Sequence, residues 1–178
     1  MKKNILLLAI VVAIVVVVVI FTDIQSVDEY YLSNIDNVTE DSETVFISID
    51  CSLIFDNYDQ LQENLKSEEF VPSDGVILEQ KEYVLRPGDS VFDVLDRVTK
   101  HNRIQMEYSG SIESKTIYIK GLNHLYEFSC GPLSGWIYKV NGEIVSYSCS
   151  QYQLKDGDII EWVYSCNVGN DVLSSVLQ

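Results

Sequence analysis

Cys51, Cys130, Cys149 and Cys166 are the residues best equipped for chemistry, and their spacing narrows which chemistry that is. No two of them form a C-x-x-C pair, so zinc-ribbon and thioredoxin-type patterns lose their support. In an exported chain an even count points to disulfides, and four cysteines permit three connectivities. The expected pairing is Cys130 with Cys149, closing a loop of about 20 residues, and Cys51 with Cys166, closing one of about 116. In the chain-entropy account each bridge contributes roughly 3 kcal/mol or more. The alternative is four buried free thiols, which pack as small hydrophobes.

The remaining reactive types do not assemble into a pattern. His101 and His124 are isolated, without the i, i+4 spacing or the neighbouring glutamate of a zinc helix, and read as surface residues. No G-x-S-x-G surrounds Ser129 or Ser134, which read as turn residues. Asp156-Gly157-Asp158 and Asn167 to Asp171 could hold an ion, but turns account for both, and no calcium-loop pattern occurs. The expectation is therefore no catalytic residue, no metal site and no resident cofactor.

Aromatic residues offer the one candidate binding surface. Trp136 and Tyr138 share a strand face, as do Trp162 and Tyr164, so two aromatic pairs can meet on one surface, with Tyr152 and Tyr126 at its rim. Exposed, they would form a stacking platform for a flat ligand or an anchor for a protein. Buried, they are core.

These residues need strands to position them, and the turn signals supply strand ends. Asn141-Gly142 can provide the two positive-φ positions of a tight hairpin, and Asp156-Gly157 a second turn before the apolar run Ile159 to Ser165. Val45, Ile47 and Ile49 alternate on one face of an opening strand, and Val76 to Leu85 reads as another. Ile104 to Tyr108, Lys115 to Ile119, Leu125 to Phe128 and Trp136 to Asn141 complete the strands. Tyr58, Leu61 and Leu65 suggest a short helix over Asp56 to Lys66. After the turn Arg86-Pro87-Gly88-Asp89, a helix capped by Asp89 or Ser90 carries the stripe Val91, Val94, Leu95, Val98, and Lys100, His101 and Asn102 suit its C-terminus. The pattern is α+β, a mixed sheet over one main helix.

The chain of 178 residues has 12 Lys and Arg against 27 Asp and Glu, a formal charge of -15. Nucleic acid, whose phosphates need clustered cations, is excluded as a partner. Two of the lysines, Lys2 and Lys3, precede the apolar run Ile5 to Phe21. At about 1.5 Å per residue that run reaches about 26 Å as a helix, slightly under the ~30 Å hydrocarbon core, and lysine snorkelling covers the difference. No small-residue cleavage pair follows Phe21, so the run reads as an uncleaved transmembrane signal anchor. The leading lysines then place the N-terminus in the cytoplasm and the folded part outside the cell membrane. The expected organisation is an anchor over 1–22, an acidic stalk over 23–44 containing the sequon Asn37-Val38-Thr39, and a folded domain over 45–178.

Several motifs together resemble the transcobalamin-like C-terminal domain, found in bacterial surface proteins and as the last domain of vertebrate cobalamin carriers. They are Gly88-Asp89-Ser90-Val91-Phe92-Asp93-Val94-Leu95, Tyr118-Ile119-Lys120-Gly121-Leu122, Ser134-Gly135-Trp136-Ile137-Tyr138-Lys139-Val140-Asn141-Gly142, Asp156-Gly157-Asp158-Ile159-Ile160-Glu161-Trp162-Val163-Tyr164 and Gly169-Asn170-Asp171-Val172. The resemblance implies a β-grasp fold, a sheet gripping one helix, and cobalamin or a related corrinoid as a ligand class. It also marks a departure, because the large helical domain that completes the carriers' ligand site has no counterpart in this sequence. The functional expectation is a membrane-anchored extracytoplasmic module that binds a small soluble, corrinoid-like ligand through Trp136, Tyr138, Tyr152, Trp162 and Tyr164 and catalyses nothing. The alternative is a cell-envelope adhesion or assembly domain whose sheet edge engages another protein.

Overall fold

The computed structural model describes residues 36–174. The expected anchor and most of the expected stalk lie outside these residues. Among those described, no helix is long and apolar enough to cross a membrane.

The fold is mixed α+β, with a five-stranded sheet, a three-stranded sheet and few helices. In the larger sheet the order is β2 (Val76–Val84), β1 (Thr44–Asp50), β8 (Ile159–Ser165), β6 (Gly135–Val140), β7 (Glu143–Ile144). The smaller sheet joins β3 (Met106–Ser109), β4 (Tyr118–Leu122) and β5 (Leu125–Tyr126). The central pair β1 and β8 is parallel, with Ile47 opposite Ile160 and Ile49 opposite Trp162, and every other pairing is antiparallel. The period of two on β1 holds as expected: Val45, Ile47 and Ile49 are fully buried.

Helix α1 (Val91–Asn102) starts where its sequence asks it to. Ser90 is the cap: its hydroxyl accepts from the Asp93 amide, and Asp93 Oδ2 accepts in turn from the Ser90 amide at 2.8 Å. This reciprocal pair satisfies two donors that the first turn leaves open. Val91, Val94, Leu95 and Val98 enter the same core as β1, β6 and β8. Arg103, in the left-handed region at φ 58°, ends the helix. Asp89, the other expected cap, instead holds Arg97 in a two-pronged ion pair at 2.6 and 2.9 Å. A second short helix, α2 (Asn170–Ser174), follows β8.

Four expectations require correction. Asp56 to Lys66 is not one helix: the chain forms 310 turns over Ser52–Gln60 and Glu63–Leu65, with Leu61 extended between them and bridged to Cys130. Tyr58 is exposed while Leu61 and Leu65 are buried, so the three never share the apolar face their spacing suggested. The strand expected over Lys115 to Ile119 begins only at Tyr118, because Lys115 has a positive φ. Likewise Leu125 to Phe128 is a strand only to Tyr126, since Phe128 turns into the left-handed region. Nor do the strands form a single sheet, because β3, β4 and β5 pair only among themselves.

Candidate functional site

The five residues of the expected aromatic surface lie on β6, on β8 and in the loop before β8, and the folded chain turns four of them inward. Trp136 faces Tyr164 and Tyr138 faces Trp162 across the β6/β8 ladder. The first pair meets edge-on at 5.2 Å and 77°, the second nearly parallel at 5.3 Å and 29°. All four are buried. Three have inward partners for their polar tips: Trp136 Nε1 donates to Leu125 O, Tyr138 to Tyr147 O, and Tyr164 to Tyr126 O. Trp162 Nε1 is buried with no acceptor. Tyr152 is half-buried and stacks on Tyr147, and Tyr126, also half-buried, accepts from Gln105 Nε2. These aromatics therefore pack the interior and hold loops in place. A ligand approaching from solvent meets the loops instead.

Two of those loops converge above Tyr164. The loop Phe128 to Ser134 closes on itself, with the Phe128 amide donating to Ser134 O and the Ser134 hydroxyl donating to Gly131 O. Tyr164 pins it from below, its hydroxyl 2.7 Å from Tyr126 O and 3.0 Å from Ser134 Oγ. The second loop, Cys166 to Gly169, is organised by Asp171, which accepts from the Cys166 amide and the Ser165 hydroxyl. A backbone hydrogen bond from Val168 to Leu133 O ties the two together.

Both loops expose apolar side chains. Phe128 is 60%, Leu133 52% and Val168 66% exposed. Phe128 and Val168 also have positive φ, at 64° and 49°. For a β-branched residue such a conformation is strained by roughly 1–3 kcal/mol. Single exposed apolar side chains need no explanation, but neighbouring ones held in strained conformations do. Hydropathy could not mark this patch, because its residues come from two separate loops.

Elsewhere a groove of about 470 Å³ runs over the outer face of the large sheet, lined in part by Asp50, Leu78, Val163 and the ion pair Lys139–Glu161. Burial pushes the Cys51 and Cys149 thiols up to about 12, with the Asp50 and Asp74 charges adding to the effect at Cys51. Burial likewise holds the Tyr164 hydroxyl up at about 12. Cys130 and Cys166 are raised too, chiefly by burial. Among the described residues no group of three or more His, Cys, Asp or Glu is placed to hold a metal ion. His124 is exposed and meets the Phe70 ring edge-on, whereas His101 is half-buried with Nδ1 lacking a partner.

The cysteines do not pair as expected. All four are free thiols. Cys149 lies against Ile117 O, and Cys51 is buried beside Asp50 and Asp74. Cys130 and Cys166 instead converge on one 310 segment, their thiols donating to Asn57 O at 3.3 Å and Leu53 O at 3.8 Å. Loop lengths in the sequence carry no information about that juxtaposition.

Residues 88–165 match DUF4430, a domain of unknown function. The motifs that carry the transcobalamin-like resemblance fall within this stretch, except the closing Gly169–Val172. No curated protein matches the chain. Among solved structures, a protein from Ruminococcus gnavus whose description proposes metal binding is similar at 15% identity and TM-score 0.43, over 69% of this chain and 96% of that one. Haptocorrin in complex with Cbi is similar at 15% identity and TM-score 0.44, over 74% of this chain. The chain spans only 27% of the haptocorrin chain.

Proposed function

We propose that this chain is a non-catalytic binding module, held outside the cell membrane by its N-terminal apolar segment. It takes a small soluble ligand with a flat apolar face on the Phe128/Leu133/Val168 patch. In this reading the large sheet and α1 make a β-grasp whose loop end is the working surface. The observation that carries it is the exposed Val168 side chain on a strained left-handed backbone, hydrogen-bonded to Leu133 O in the loop that also bears the equally left-handed, exposed Phe128. Strain retained where it supports no packing favours a role in contact with something else. The raised thiols and tyrosines favour a non-catalytic role, since a nucleophile needs the opposite shift.

The transcobalamin-like resemblance selects a corrinoid as the probe. Covering one corrin face buries about 300 Å² of apolar surface, a gross ~7.5 kcal/mol. Association costs of ~4 kcal/mol or more leave an affinity of about millimolar for the chain alone, so a partner would have to supply the other face. Equilibrium dialysis of the detergent-solubilised full chain against cobinamide, read by corrin absorbance, tests this. Retention that drops in Phe128→Ser and in Val168→Gly supports the patch. Retention absent at low millimolar cobinamide, or unchanged in both variants, overturns it. Docking of an envelope protein along β2 is less favoured, because Glu79, Lys81 and Glu82 put exposed charges on that edge strand, a pattern that discourages strand addition.

A further inference from the structure

The two loops that carry these apolar residues also carry two thiols that converge on one segment. Cys130 sits in the Phe128–Ser134 loop and Cys166 opens the loop bearing Val168. Both point at one short stretch of 310 helix: Cys130 Sγ lies 3.3 Å from Asn57 O and Cys166 Sγ 3.8 Å from Leu53 O. The Val168–Leu133 hydrogen bond keeps the loops in register beside them. Cys51 and Cys149 have no thiol neighbour of this kind, their contacts being with carboxylates, backbone and core.

We propose that Cys130 and Cys166 form a reversible disulfide that bolts these two loops together, with a small-molecule disulfide such as oxidised glutathione as the oxidant. Cys166, half-buried where Cys130 is fully covered, reacts first. Its thiol gives a proton to solvent, and the thiolate attacks one sulfur of the oxidant, breaking that S–S bond and releasing one glutathione, which takes up a proton. Cys130 then loses its proton and attacks the Cys166 sulfur of the mixed disulfide. The Cys130–Cys166 bond forms and the second glutathione leaves as the thiol, so two protein thiols are oxidised as one disulfide is reduced. The reaction is slow at neutral pH because both thiols are held protonated, by burial at each, by the Cys130 thiol at Cys166, and there also by the Asp171 and Asp56 charges. Around Cys130, Asp59 opposes ionisation and Lys66 favours it.

The chemistry stands on the convergence of the two thiols on one 310 segment and on the hydrogen bond that ties their loops; only its consequence, control of patch rigidity, rests on the binding reading above. The test incubates the detergent-solubilised full chain in glutathione buffers of increasing oxidised fraction, then alkylates and maps peptides by mass spectrometry. The expected first product is the Cys130–Cys166 crosslink, with Cys51 and Cys149 recovered as alkylated free thiols. Closing this loop raises Tm by about 10 °C. That shift disappears in Cys166→Ser, whose side chain is half-buried and whose variant is expected to keep the fold. A first crosslink joining Cys130 to Cys149, or four free thiols in a buffer that crosslinks the urea-unfolded chain, overturns the proposal. Cobinamide dialysis in both redox states separates the two claims. Equal absence of binding in both sinks the binding reading and leaves the crosslink standing.

Discussion

Alkaline pH should unfold this domain, with its buried thiols as the main cause. Cys51 and Cys149 sit at about 12 in the folded chain against 9.0 for a free thiol. Their protons are therefore retained by the folded state and lost by the unfolded one as pH rises above 9. Stability is complete below pH 9 and declines through the interval up to 12. Each thiol contributes a slope of about 1.4 kcal/mol per pH unit there, so the two together remove roughly 5 kcal/mol between pH 9 and 11. Tyr164, moved from 10.0 to about 12, acts in the same direction above pH 10 and removes about another 1.4 kcal/mol by pH 11. Against a typical domain stability of about 5–15 kcal/mol, unfolding should set in near pH 11. The assay is urea denaturation followed by circular dichroism at half-unit steps from pH 8 to 11, with reductant present. The urea midpoint should hold from pH 8 to 9 and then fall, and a Cys51→Val/Cys149→Val variant should fall less steeply, the raised Cys130 and Cys166 thiols keeping part of the slope. A midpoint flat to pH 10.5, or a decline of equal slope in the variant, would refute the reasoning.

Removing one partner of the Arg97–Asp89 pair should be severe, because both side chains are nearly covered, at 12% and 10% exposure. Arg97→Leu should cost about 3–5 kcal/mol by urea titration, and Asp89→Asn in the same background should restore part of it. The two tryptophans should separate on replacement by phenylalanine. Trp136→Phe should cost about 1–3 kcal/mol more than Trp162→Phe, since only Trp136 gives up a hydrogen bond, to Leu125 O, and a larger loss at Trp162 would contradict that bookkeeping. Val168→Gly should stabilise by about 1 kcal/mol through relief of its left-handed backbone, which the same titration reads directly.

Local signals were legible wherever the local chain decides the geometry. Asn141-Gly142 turns with both φ values positive, 53° and 82°, as a hairpin of that composition demands. The stripe of α1, its Ser90 cap and the alternation on β1 were equally readable. What the sequence could not carry was partnership between distant segments. Nothing local says that β3, β4 and β5 form their own sheet, or that Leu61 leaves a helical spacing to bridge Cys130. The candidate site shows the same division. Aromatic spacing on β6 and β8 identified residues that share a face, but whether that face meets solvent depends on what else packs there. Phe128 and Val168 looked like ordinary loop residues until hydrogen bonds to Ser134 and Leu133 fixed them in the left-handed region.

The parallel pairing of β1 with β8 has a consequence for how the molecule is made. Among the described strands the first to leave the ribosome, β1, has the last, β8, as one of its two neighbours, so the central ladder cannot zip until β8 has been synthesised. Such distant pairing is slow to nucleate, because a long loop must be closed before any contact rewards it. Under the export proposed above, that delay is an advantage: the strand that would lock the structure early has to wait for its mate.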